Sequence, residues 1–112
     1  MNIQIIGTKK SHSTKKAQRF FKERRINFHF KDLDEKGLSK GELENICRVF
    51  SCEEILDKES KQYQKRGLQY MVFNIEEELL NDVQLIKIQI VRNGNKVTIG
   101  IEEKIWSDWL KE

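Results

Sequence analysis

Apolar positions in the first third of the chain follow the repeats of a strand, a helix and a second strand. An apolar run that ends at Gly7 predicts a buried strand, and its members are Ile3, Ile5 and Ile6. Helical spacing then predicts a helix with its N-cap at Ser13 and its end near Arg25, with apolar positions Ala17, Phe20 and Phe21. Residues 26–31 alternate as a half-buried strand does. The pattern predicts a parallel strand–helix–strand crossover.

Short capping sequences divide the middle of the chain into several helices. Capping boxes at residues 39–42 and 51–54 each predict a helix start, and Asn74 precedes a third. The first helix places Cys47 on its apolar stripe, which also contains Leu43, Ile46 and Phe50. The polar stretch 57–66 is expected to add short helices around Tyr63. A helical insertion is therefore predicted over about residues 39–82.

The last third predicts a hairpin followed by a helix. Residues 85–91 alternate, Asn93-Gly94 marks a tight turn, and Val97, Ile99 and Ile101 form the second strand. The final helix begins near Glu102 and is expected to pack its apolar residues, which are Ile105, Trp106, Trp109 and Leu110. The order βαβ, helices, ββα predicts an α/β fold, and a length of 112 residues suits one domain, 1–112.

Composition narrows the class of protein. Hydrophobic residues make up 38% and charged residues 35%, too apolar for general disorder and too interrupted by charge for a membrane span. The N-terminal apolar stretch lacks a preceding basic segment, so the cytoplasm is the expected location. Two cysteines, Cys47 and Cys52, are too few for a disulfide framework and have no partners at zinc-ligand spacing. Neither a metal nor another cofactor is expected.

Positive charge is concentrated between residues 9 and 25, where Glu23 is the only acid. A solvated helix surface is the favoured interpretation, and a docking face for an acidic protein is the alternative. Aromatic residues are not interleaved with these cations for base stacking, so direct nucleic-acid binding is not expected.

Three segments in order resemble the Spx and arsenate-reductase (ArsC) family. Residues 7–17 resemble its redox loop, residues 54–65 its helical insertion with Ser60-Lys61 and Tyr63, and residues 85–91 its Leu-Ile-Lys-Arg-Pro-Ile-Val segment. The resemblance implies a thioredoxin-like fold, βαβ-(helical insertion)-ββα around a four-stranded mixed sheet.

The family's functional positions are replaced in this chain. Aligned in this way, the two redox cysteines fall at Ser11 and Thr14, and the basic residue of the insertion falls at Asp57. The Arg-Pro pair, whose proline is cis in most thioredoxin-like proteins, falls at Ile88-Gln89. A non-proline cis bond costs about 2.5–4 kcal/mol, so the sequence alone favours a trans bond before Gln89.

Serine at position 11 removes the thiolate that disulfide exchange requires, so no catalytic residue is expected in this loop. A Ser11–His12 hydrolase is disfavoured because no acid is evident to orient the ring. Cys52, at a predicted helix start, is the better candidate for a reactive thiol, although an incidental surface cysteine is the favoured interpretation, and Cys47 is interpreted as a small core residue.

The leading hypothesis is a non-catalytic binding or regulatory module. The resemblance implies a protein partner, the C-terminal domain of the RNA polymerase alpha subunit, although the glycine used for that contact falls at or near Ser51. A small oxyanion is a second candidate ligand, because Lys9, Lys10, Ser11 and Ser13 surround a helix start. The alternative is an arsenate-reductase-like or glutaredoxin-like thiol oxidoreductase that uses Cys52 or Cys47.

Overall fold

A single mixed sheet organises the fold. The computed structural model describes residues 1–111. Its four strands, β1 (Ile3–Gly7), β2 (Phe28–Asp32), β3 (Ile90–Asn93) and β4 (Lys96–Ile99), lie in the order β2-β1-β3-β4. β3 pairs antiparallel with both β1 and β4. The predicted α/β class with a four-stranded mixed sheet is confirmed.

Six α-helices accompany the sheet in the described part of the chain. They are α1 (His12–Glu23), α2 (Lys40–Cys47), α3 (Cys52–Ile55), α4 (Lys61–Lys65), α5 (Ile75–Asn81) and α6 (Glu103–Leu110). The described residues divide into two compact units, one formed by residues 1–31 and 88–111, the other by residues 32–87. None of the helices in residues 1–111 is long and apolar enough to cross a membrane.

The first unit has an aromatic core between the sheet and two helices. Phe20 and Phe21 of α1 contact Trp106 of α6, with ring centroids 5.2 and 5.5 Å from that ring. Trp106 is fully buried and donates its indole N–H to Thr98 Oγ1 over 2.8 Å, which satisfies its one polar atom. Ile105 is 42% exposed, so its predicted burial is wrong. At about 100° per residue, Ile105 lies about 40° from Trp109 and about 100° from Trp106 around α6, so it is at the edge of the stripe that these two residues form toward the core.

The helix starts predicted from the capping sequences are confirmed in the second unit. Ser39 and Ser51 each accept from the backbone N–H three residues on and receive the reciprocal Glu contact, while Asn74 caps α5. Helices α2 and α3 both contact α5, and Tyr63 of α4 is buried. These caps are local, which is why the sequence alone located them.

Strand β3 is shorter than predicted. It begins at Ile90, whereas residues 83–85 form a 3-10 turn. Leu85 O accepts from Asp57 N at 2.7 Å, and Lys87 N donates to Ile55 O at 2.8 Å. Residues 85–87 therefore pair with residues 55–57. The alternating pattern in this stretch does not mark the start of β3. The hairpin turn lies one residue later in the chain than predicted. Asn93 pairs with Lys96 and belongs to the strand, and the turn begins at Gly94, which has a φ of 61°.

Helix α1 ends two residues before the predicted position. Arg25 has a φ of 58°, and Ile26 N donates to Phe21 O at 2.9 Å while Arg25 N donates to Lys22 O at 3.0 Å. This is the Schellman arrangement, which closes a helix by turning the backbone left-handed.

Candidate functional site

The site is built on the close approach of β1 and α1. Gly7 ends β1, and a Cβ at that residue would overlap the side chain of Thr14. Thr14 is fully buried, and its Oγ1 accepts from Thr8 N at 3.4 Å. A residue with no side chain therefore lets the loop of residues 8–11 lie directly against the first turn of α1.

Ser11, and not Ser13, is the N-cap of α1. Its Oγ accepts from Thr14 N at 3.2 Å, and its carbonyl accepts from Lys15 N at 3.1 Å, the first bond of the helix. Ser11 has the extended backbone of an N-cap, with φ −74° and ψ 125°. Ser13 lies in the helix, and its hydroxyl shares a 2.9 Å hydrogen bond with Ser11 Oγ. The predicted cap at Ser13 is wrong by two residues.

Ser11 and His12 do not form a catalytic pair. Both hydrogen bonds of Ser11 Oγ go to other groups, Thr14 N and Ser13 Oγ, and in residues 1–111 no hydrogen bond joins it to His12. His12 is exposed at the first helical position. A base that activates a serine lies within hydrogen-bond reach of its hydroxyl, which is not the arrangement observed.

The candidate anion-binding residues form one continuous segment at the helix start. Lys9 and Lys10 are exposed, Ser11 and Ser13 are partly buried, and the first turn of α1 contains no acid. The first N–H groups of a helix have no partner within it, and Ser11 satisfies that of Thr14. The segment therefore combines positive charge with backbone donors, the two features that favour an anion.

Gln89 contributes a buried amide at the same end of the sheet. β1 and β3 pair Ile6 with Ile90, so one further step of the register brings Gln89 opposite Gly7. Gly100 N donates to Gln89 O at 2.9 Å, which continues the ladder to β4. Gln89 is fully buried, yet neither Oε1 nor Nε2 has a hydrogen-bond partner in residues 1–111. Buried amides in proteins are normally paired, so the side chain of Gln89 is an exception to this rule.

The peptide bond between Ile88 and Gln89 is cis, against the trans bond that the sequence alone favours. The alternating pattern predicts that Gln89 lies on the exposed face, opposite to the isoleucines. Its burial in the structure therefore also departs from the prediction. The signal that located this position is its alignment with the proline of the resembled family.

The remaining family position, Asp57, lies in the second unit. Its backbone N–H donates to Leu85 O, and its Oδ1 accepts from Glu59 N at 3.1 Å. The carboxylate thus stabilises the turn before α4, a structural task that a basic side chain would not perform in this way.

Both cysteines also lie in the second unit. Cys47 is the last residue of α2, and Cys52 is the first residue of α3. Burial, the Cys52 side chain and the charge of Glu76 raise the pKa of the Cys47 thiol to about 12. Cys47 is partly exposed, so its assignment to the core interior is wrong. In residues 1–111 no three His, Cys, Asp or Glu side chains are grouped to bind a metal ion.

The sheet order and the βαβ, helical insertion and ββα sequence define a thioredoxin-like fold. Among solved structures, the chain is similar to a protein named YFFB, with a TM-score of 0.83, 18% identity, and 95% of this chain and 96% of that chain covered. It is similar to an arsenate reductase from Vibrio cholerae, with a TM-score of 0.82, 13% identity, and 96% and 97% covered. A glutaredoxin from Archaeoglobus fulgidus matches at a TM-score of 0.52 and 13% identity, over 98% of this chain and 86% of that one.

No protein-family model matches the chain, and no curated protein matches its sequence. The similarities to solved structures are similarities of fold. They extend over nearly the whole length of the chain and include the helical middle section.

Proposed function

We propose that this chain is a degenerate relative of the ArsC and Spx proteins that acts as a non-catalytic binding or regulatory module in the cytoplasm. The observation that carries the proposal is Ser11. It occupies the position of the redox cysteine in the resembled family, and its hydroxyl is engaged as a helix cap by Thr14 N and by Ser13.

The chemistry of serine supports a loss of thiol activity at this loop. Attack on a disulfide or reduction of an oxyanion requires a thiolate, and a serine hydroxyl without an adjacent base supplies no comparable nucleophile. The sequence places both cysteines between residues 32 and 87, so the unit that contains Ser11 has no thiol.

A thiol-dependent reduction assay tests this proposal. The native chain and Ser11→Cys are supplied with glutathione and glutaredoxin, and reduction of arsenate and of a mixed disulfide is followed. We expect no turnover by the native chain. Turnover that persists in Cys47→Ala and Cys52→Ala variants would overturn the proposal, because it would assign chemistry to the Ser11 loop itself.

The loop itself is proposed to bind a small oxyanion. Lys10 supplies positive charge, and the first N–H groups of α1 supply hydrogen-bond donors. Gln89, whose side-chain amide is unpaired, lies opposite Gly7 in the register of β1 and β3. Titration with inorganic phosphate should shift the amide NMR signals of residues 9–14. Lys10→Ala should weaken the binding, whereas Lys104→Ala, a matched change on the exposed start of α6, should not. Absence of shifts in the native chain would exclude the anion site and leave a protein partner.

The first protein partner to test is the C-terminal domain of the RNA polymerase alpha subunit, because Spx-like proteins bind it. The test is calorimetric titration of the native chain with that purified domain. The position that resembles the family's contact glycine is Ser51, which caps α3 through a capping box with Glu54. Heat of binding that is lost in variants of the exposed surface around Ser51 would support this partner, and no heat would exclude it.

A thiol oxidoreductase is the second candidate function, and the partial exposure of the free thiols of Cys47 and Cys52 favours it. The raised pKa keeps Cys47 protonated at neutral pH, which leaves Cys52 as the attacking thiol in such a reaction. Native turnover in the same reduction assay that disappears in Cys52→Ala would establish this function in place of the binding module.

A further inference from the structure

Strand alternation places three polar side chains on one face of the sheet. Apolar residues of β1, β2 and β3 belong to the aromatic core of the first unit or pack against it, and they are Ile3, Ile5, Phe28, Phe30 and Val91. Successive residues of a strand point to opposite faces of its sheet. Gln4, His29 and Arg92, which are the strand neighbours of these apolar residues, therefore lie on the face opposite to α1 and α6.

These three side chains line a pocket of about 240 Å³ together with Asn2 and Gly94. Because β1 lies between β2 and β3, the pocket receives one side chain from each of three neighbouring strands. It lies at the start of β1, whereas the Ser11 loop follows the end of the same strand. We propose that this pocket binds a small organic carboxylate. The proposal does not rest on the function proposed for the Ser11 loop.

Arg92 is held in a fixed position for such a ligand. Its Nη1 donates to Gln4 Oε1 over 2.5 Å, and the two residues are paired directly across β1 and β3. A guanidinium has five N–H donors in a planar fork that matches the two oxygens of a carboxylate. Arg92 can therefore bind a carboxylate while it keeps its bond to Gln4. A side chain that is fixed beforehand also loses less conformational freedom when the ligand binds.

Hydrogen bonds join the rim of the pocket to the hairpin between β3 and β4. Asn2 N donates to Asn93 Oδ1, and Gly94 N donates to Asn2 O, each over 3.4 Å. The backbone of Asn2 is thus bonded to the hairpin through both its N–H and its carbonyl. This wall of the pocket is formed by the protein itself and needs no ligand to assemble it.

Charge and size indicate the class of ligand. In residues 1–111 the lining contains one permanent cation, Arg92, and no carboxylate. One positive charge suits one carboxylate group, and the amides of Asn2 and Gln4 and the imidazole of His29 can form hydrogen bonds with uncharged polar groups of the same ligand. Pockets for drug-sized ligands measure about 300–1,000 Å³. The smaller volume here fits a molecule with only a few carbon atoms.

NMR titration of the full chain with lactate, at constant ionic strength, tests the proposal. Lactate is the probe because it is small and combines a carboxylate with a hydroxyl group. We expect saturable shifts of the backbone amide signals of residues 29, 92 and 94. Lactamide has the same carbon skeleton without the charge and should give no saturable shifts. Lactate shifts confined to residues 9–14 would assign the ligand to the Ser11 loop and overturn the proposal, as would a response of this pocket to inorganic phosphate but not to lactate.

Two variants test the residues of the pocket. Arg92→Gln should weaken lactate binding about tenfold or more, because the charged partner is lost. Arg48→Gln, at the exposed C-cap of α2, changes the net charge equally and should leave the binding unchanged. His29→Ala leaves the pair of Arg92 and Gln4 in place at an exposed strand position, so this variant should fold and bind lactate severalfold more weakly. Unchanged affinity in either pocket variant, or no saturable shifts in the native chain, would overturn the proposal.

Discussion

Thr14 lies against Gly7 so closely that its hydroxyl fills the space a side chain at residue 7 would need. The contact joins the last residue of β1 to the first turn of α1, and Thr14 is completely buried by it. The backbone of the Ser11 loop is therefore positioned by packing at Gly7, and not by the loop residues alone.

Gly7→Ala should lower the free energy of unfolding by about 1–3 kcal/mol, because an added methyl group in a filled site forces its neighbours to shift. Urea denaturation measures the change. Gly41→Ala is the matched control, since Gly41 lies in α2 with open space around it and should gain about 0.5–1 kcal/mol. Equal effects of the two changes would contradict the close contact with Thr14.

Ser11→Ala should destabilise the protein by about 1 kcal/mol, because it removes the acceptor for Thr14 N at the start of α1. Ser11→Asp should retain most of that stability, since aspartate is an equally good N-cap. Ser13→Ala is expected to have a smaller effect. Thermal unfolding measures these changes. A larger loss of stability in the Ser13 variant than in the Ser11 variant would show that Ser13, the residue that the sequence alone predicted, is the N-cap.

Gln89→Met should raise the free energy of unfolding by about 1–3 kcal/mol in phosphate-free buffer, because it replaces an unpaired buried amide by an apolar side chain of similar length. The exposed Gln84 provides the comparison, and Gln84→Met should be close to neutral. A loss of stability in the Gln89 variant would mean that the native amide is paired after all, and a crystal structure would then identify its partner.

Asp82 should give the second unit a dependence on pH. Burial alone would raise its pKa, but hydrogen bonds from Gln62, Arg66 and the backbone of Gln84 hold the pKa of this carboxyl below its usual value. Gln62 Nε2 lies 2.7 Å and Arg66 3.0 Å from Oδ2. A lowered pKa in the folded state stabilises the protein above the unfolded value of about 3.9, and this stabilisation is lost as the pH falls through the folded value.

Asp82→Asn should therefore be less stable than the native chain at pH 7, and the difference should diminish below about pH 4. Asp108→Asn, on the exposed side of α6, is the control and should change little at any pH. A difference for Asp82 that stays constant from pH 7 to pH 3 would show that the ion pair with Arg66 adds nothing to stability.

Local signals in the sequence located most of the fold. Gly7 ends the first strand, and Ser39, Ser51 and Asn74 begin helices, because a cap depends on neighbours within a few residues. The start of β3 was predicted too early because the pairing of Ile86 with Leu56 joins residues far apart in the chain. No local pattern records such a choice between two partners.

The candidate site was less predictable for the same reason. Two serines near the start of α1 are equally good caps by composition, and the choice of Ser11 depends on how the loop is packed at Gly7. The burial of Gln89 likewise follows from tertiary packing. The sequence alone identified the candidate residues, and the structure was needed to show which groups lie beside them.

The aromatic residues of the chain give each unit its own optical probe. Both tryptophans, Trp106 and Trp109, are buried in the first unit, while both tyrosines, Tyr63 and Tyr70, belong to the second. Tryptophan emission thus reports on the sheet and its core, and tyrosine signals in near-ultraviolet circular dichroism report on the helical insertion. Transitions that coincide would establish that the chain unfolds as one cooperative body, and separate transitions would resolve two.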